Sequence, residues 1–154
     1  MTHAYNELYR EQATRTFAEM MDYAVNDCRI PGDIFLSDFI KSGIAAHFEI
    51  GQPDFVAGHS GIELANLVLK FMNKQPALPQ YHECRTPEYW AGWVLAQYQW
   101  YSAHTFSDIL TTISFSGILA LYPTYHEADI TKFFDAIEPV PKLRNSMLFI
   151  TTYP

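Results

Sequence analysis

The residue types best suited to proton transfer sit together in one short run, His126-Glu127-Ala128-Asp129, where an imidazole and two carboxylates share a turn. Such a set could supply a general base and a group to orient it. Acids at the start of a helix also complement its macrodipole, and this is the simpler reading of Glu127 and Asp129. His82-Glu83-Cys84 sets a histidine and a cysteine two positions apart. Zinc would need two further ligands at suitable spacing, and none lies nearby. His3, His47, His59 and His104 are scattered, and no histidine pair has the H-E-x-x-H spacing of a zinc-binding helix. There is no G-x-S-x-G elbow, no Walker A loop and no G-x-G-x-x-G turn. The expectation is no catalytic set, no metal and no cofactor.

The loudest signal is aromatic. Thr86-Pro87-Glu88 is a strong helix start, with a Thr N-cap, Pro in the first position and an acid in the first turn. The helix it opens runs to about Ala103. Tyr89, Trp93 and Trp100 fall on one side and Trp90 and Tyr101 on the other, with Gly92 and Ala96 small enough to admit a neighbour. Large rings commonly build a core. Trp, Tyr and Arg also concentrate at interface hot spots. Two stripes allow both roles, with Trp90 and Trp93 inward and Tyr98 or Tyr101 facing a partner. Stacking on nucleic-acid bases would need a basic channel, and only Arg85 closely precedes the helix.

The elements that must position these rings read as helical. Apolar residues recur at three- and four-residue spacing from Ala4 to Asp27, which predicts one long helix stopped by Arg29-Ile30-Pro31-Gly32. Asp33 can cap a second helix that closes at Gly51 and Pro53. Gly43 inside it would serve a close helix–helix contact. Ser60 and Glu63 form a capping box for a central helix to about Asn73. A polar connector from Lys74 to Arg85 carries Pro76 and Pro79 and is the best candidate for a mobile loop. Shorter helices should cover Ser107–Ile113, Ser116–Leu121 and Thr124–Ile137. Leu64, Val68, Phe71 and Trp90 should lie in the core. The tail from Leu143 to Tyr153 includes Phe149-Ile150-Thr151-Thr152-Tyr153, which favours extended chain. The expected fold is all-α: a single-domain bundle of about six or seven helices over 1–138, with an irregular tail over 139–154.

Composition bounds the rest. The chain has 154 residues, 49% of them apolar and 18% charged, which is too apolar for intrinsic disorder. With 10 Lys and Arg against 17 Asp and Glu, the net charge is −7, which disfavours generic binding to phosphate backbones. Two cysteines, Cys28 and Cys84, make no disulfide framework, and free thiols suit a reducing compartment. The N-terminus has no signal-peptide pattern, and no apolar run approaches the ~20 residues of a membrane span. A cytoplasmic protein is expected.

Several segments carry a family resemblance. Thr86-Pro87-Glu88-Tyr89-Trp90-Ala91-Gly92-Trp93, Tyr98-Gln99-Trp100-Tyr101 and Tyr122-Pro123-Thr124-Tyr125-His126-Glu127-Ala128-Asp129 carry it, and the run from Glu88 to Trp93 is fairly specific. Phe17 to Ala24, Ser42 to Ala45 and Gly58 to Ala65 add to them. Over about Tyr5 to Ile137 the chain resembles the N-terminal domain of an uncharacterised bacterial helix-turn-helix, antitoxin-like protein family. The resemblance implies an antitoxin or regulator component, encoded beside small toxin-like proteins that include ones resembling ADP-ribosyltransferases. Relatives continue into a DNA-binding helix-turn-helix. Here Lys142-Leu143-Arg144 resembles only the start of that continuation, so the tail reads as a remnant and direct DNA binding is not expected.

The leading expectation is therefore a non-enzymatic module that binds and neutralises a toxin-like protein. The alternative is a phage- or mobile-element-encoded acidic inhibitor of a host nucleic-acid enzyme or defence complex, anti-CRISPR-like, whose acidic faces occupy a basic channel. In either case the partner surface is expected at Tyr98, Tyr101, Tyr125, His126, Glu127 and Asp129.

Overall fold

A computed structural model describes residues 2–137, and all regular structure among them is helical. The expected tail over 139–154 lies outside the described residues. Ten α-helices replace the six or seven expected, because two of the expected helices are each split in two and a short helix at Pro53–Val56 is added; the N-terminal helix is also interrupted, by non-α turns.

The first interruption is in the N-terminal helix. A 3-10 turn at Glu7–Tyr9, capped by the Asn6 side chain, precedes α1 (Arg10–Asp22), and a π turn at Tyr23–Asp27 follows it. Arg29 then adopts a left-handed conformation, φ 61°, and the Ile30 amide bonds back to the Ala24 carbonyl, closing the helix end. The second break separates α2 (Gly32–Lys41) from α3 (Ile44–Glu49). Gly43 sits there at φ 88° with nothing within 4 Å of a Cβ built upon it. It serves a left-handed turn that most residues disfavour, and not the close helix contact its position suggested. After α4 (Pro53–Val56), the capping box of Ser60 and Glu63 opens α5 (Gly61–Met72) as the sequence indicates.

Thr86 caps α6 (Pro87–Ser102), which is followed by α7 (Phe106–Thr112) and α8 (Phe115–Ala120). The expected Thr124–Ile137 helix is split into α9 (Tyr122–Tyr125) and α10 (Ile130–Ile137) by the His126–Asp129 turn. Asp33 also departs from expectation. Its carboxylate accepts from the backbone amides of Phe115 and Ser116, at 2.7 and 3.2 Å, so it caps the distant α8.

Helix α1 packs most extensively against α6 and next against α5. A Cβ on Gly92 would stand 3.1 Å from both the Ala18 Cα and the Met21 Cβ, so the missing side chain brings α6 close to α1. Phe17 of α1, Phe39 of α2, Phe48 of α3 and Phe106 of α7 form the aromatic heart of the core. Phe17 stacks on Phe106 at 4.9 Å, and the other rings of this set meet within 6.5 Å. Leu64 and Val68 are buried as expected, whereas Phe71 is 52% exposed and Trp90 is only half-buried. Phe71 falls on the outer side of α5, where the apolar surface continues past the face that the core can cover.

The N-terminal strap crosses the end of α6. The Ala4 amide donates to the Trp100 carbonyl, the Trp100 indole donates to the Tyr5 carbonyl, and His3 stacks on the indole at 3.9 Å. The connector before α6 is tied to the π turn. The Tyr23 hydroxyl donates to the Ala77 carbonyl at 2.7 Å and accepts from the Ala77 amide at 3.0 Å. The Asp27 carboxylate accepts from the Gln80 amide at 3.1 Å.

Candidate functional site

The first turns of α6 set three rings on one wall of a cavity of about 310 Å³: Tyr89, Trp90 and Trp93. The Thr86 hydroxyl fixes the start of this wall, accepting from the Tyr89 amide at 3.1 Å and donating to Asp22 of α1 at 2.6 Å. Helix α9 supplies the facing wall. Tyr122 meets Trp90 edge to face at 5.6 Å, and His126, one turn later, stacks on Tyr122 at 4.2 Å. The His126 Nδ1 lies 2.7 Å from the Tyr122 carbonyl, which assigns a proton to that nitrogen. Trp90 is backed by Phe133 of α10 at 5.8 Å.

Arg85 stands at the rim with its guanidinium 4.6 Å from the Tyr89 ring centre, a cation–π contact. Beyond Arg85 and Tyr89 a second cavity of about 390 Å³ opens toward α1, lined also by Arg15, Glu19 and Ser60. Burial pushes the Tyr89 phenol above its usual range, and the charges of Arg85 and Arg15 act against that shift. The pair of cavities therefore has an aromatic half and a half bearing two guanidinium groups.

The expected site residues are only partly brought together. His126 lines the aromatic cavity. Tyr98 is buried against Phe134 at 5.4 Å, and so presents no surface to a partner. Tyr101 is half-buried and stacks on Phe134 at 4.7 Å. It lies eleven residues past Trp90 along α6, about 16 Å away at 1.5 Å per residue. Tyr125 is half-buried on α9, and Glu127 is exposed with its carboxylate 3.5 Å from the His126 Nε2. Asp129 caps α10: its carboxylate accepts from the Thr131 amide at 2.9 Å and hydroxyl at 2.8 Å, which holds its carboxyl below the usual range. Sequence reasoning missed Arg85, Tyr89 and Tyr122 as site residues. The available signal was the four-residue spacing of Tyr122 and His126 on one helical turn; Arg85 stands before the cap of α6, where helical spacing does not link it to Tyr89.

The cavity walls are suited to stacking, cation–π and charge-assisted contacts. Among the described residues no three His, Cys, Asp or Glu side chains group as metal ligands. His82 instead approaches Asp27 at 3.5 Å, and Cys84 is exposed. No helix among the described residues is long and apolar enough to cross a membrane. No protein-family model matches the chain, nor does any curated protein or solved structure.

Proposed function

We propose that the chain is a non-enzymatic interaction module that binds and neutralises a toxin-like protein, and that the aromatic cavity takes an anchor side chain of that partner. The observation that carries this reading is the cavity wall, where two Trp, two Tyr and an Arg converge on about 310 Å³. These are the residue types in which interface binding energy concentrates. Rings already held by Phe133 and by one another lose little further freedom when a partner arrives. Thr86–Trp93 and Tyr122–Asp129, two of the segments that carry the resemblance to the antitoxin-like family, build the facing walls.

Affinity purification from the native host, with the intact chain and with Trp93→Ala, tests the reading. The intact chain should capture a protein whose expression alone arrests growth, and co-expression of the chain should relieve the arrest. Trp93→Ala, shown folded by circular dichroism, should lose the capture. Undiminished capture by that variant would remove the cavity from the interface, and a harmless partner would remove the neutralising role. A second reading, an acidic inhibitor of a nucleic-acid enzyme, is favoured by the net charge of −7. There the captured protein would be a nucleic-acid enzyme, nucleic acid would compete for it, and binding would weaken steeply with salt.

A further inference from the structure

The seam between the two cavities brings two guanidinium groups, Arg15 and Arg85, against one lining carboxylate, Glu19, on a chain whose net charge is −7. Arg85 lies over Tyr89, and Arg15 donates to the Gln12 side chain at 3.2 Å. Neither makes an ion pair among the described residues, where the pairs are Arg10–Glu7, His82–Asp27 and His126–Glu127. The neighbouring carboxylates are committed elsewhere. Glu19 accepts from the Gly61 amide at 2.6 Å, Asp22 from the Thr86 hydroxyl at 2.6 Å, and Glu88 from the Asn26 side chain at 3.1 Å. These bonds leave the carboxylates charged, but no carboxylate among the described residues pairs directly with Arg15 or Arg85, and the lining of the second cavity carries two guanidinium groups against the single carboxylate of Glu19.

We infer that the adjoining cavities recognise an acidic segment of the protein partner: an apolar or aromatic side chain enters between Trp90, Trp93 and Tyr122, and an Asp or Glu carboxylate beside it is held by Arg15 and Arg85. The inference rests on the anchor role proposed above and adds the chemistry of the occupant. Guanidinium groups match carboxylates through paired N–H donors, and stacking on Tyr89 pre-orients one of them. Adjacent residues of a bound segment are 3.8 Å apart at Cα, so one step along the chain carries it from the aromatic half toward the charged half. Glu19 lines the charged half as well, which favours a singly charged carboxylate over a more highly charged phosphate.

Fluorescence anisotropy with dye-labelled, end-capped pentapeptides tests this. One probe carries Trp followed by Glu, and its twin carries Trp followed by Gln. The intact chain should bind the Glu peptide about tenfold more tightly, the worth of one charge-assisted contact. The double variant Arg15→Ala/Arg85→Ala should bind the twins equally. Lys41→Ala removes the same type of charge outside both cavities and should leave the preference intact. Equal binding of the twins by the intact chain, failure of both to bind, or a preference that survives the double variant would overturn the inference. So would AMP displacing the Glu peptide from the cavity, since that would mark a nucleotide site. If partner capture depends on Trp93 while the twins bind equally, the anchor cavity stands and only its acidic occupant falls. If Trp93→Ala still captures the partner, the anchor role itself falls.

Discussion

Asp33 shows how far a single side chain can act from its own helix. It sits in the first turn of α2, yet its carboxylate serves the first two amides of α8. Asp33→Ala should cost about 1–2 kcal/mol in urea unfolding, the range for a lost cap. Tyr98→Ala should behave as a core truncation, losing about 3–5 kcal/mol, and any binding defect should follow from the loss of folding. Two carboxylates should give opposite pH signatures. Burial raises the Glu49 carboxyl above its usual 4.5, so the stability linked to its protonated form is full below 4.5 and is lost as pH rises through the raised value. Glu49→Gln should therefore gain relative to the intact chain from pH 4.5 upward. Asp129 is lowered from 3.8, so its contribution is present above 3.8 and is lost as pH falls below it. The deficit of Asp129→Asn should accordingly vanish on acidification. Unfolding titrations across the acid range read both.

At the scale of elements, the α1–α6 crossing depends on Gly92, whose missing side chain leaves room for Ala18 and Met21. Gly92→Val should overpack that crossing and destabilise by about 1–3 kcal/mol, with the unfolding midpoint as the measure. The sequence is informative where an element is defined by its own residues. The Ser60–Glu63 box and the Thr86–Pro87 start are local hydrogen-bond patterns, and both fall where the spacing puts them. It is silent where tertiary contacts decide. The π turn at Tyr23–Asp27 reflects bonds to a connector more than fifty residues away. The burial of Tyr98 depends on Phe134, on a helix that the periodicity merges with α9. The cavity was half-readable: its aromatic wall is one helix face, but the pairing of Arg85 with Arg15 needs α1 and the start of α6 side by side.

For the molecule as a whole, the 11 Phe are explained largely by the core, where rings from α1, α2, α3 and α7 meet as one cluster. Short helices have little stability alone and are held by such shared packing. Phe106→Ala removes the ring stacked on Phe17 and should cost about 3–5 kcal/mol by thermal or urea unfolding. The Asp33 bridge has a consequence for the order of assembly. It joins residues 82 positions apart, so α8 cannot receive this cap until a long loop has closed. The expectation is that this capping contact, unlike the long-range packing of the core, forms after the transition state. The loss in Asp33→Ala should appear as faster unfolding with an unchanged folding rate, so that α8 is the part of the fold whose lifetime, more than its birth, is governed from the other half of the chain.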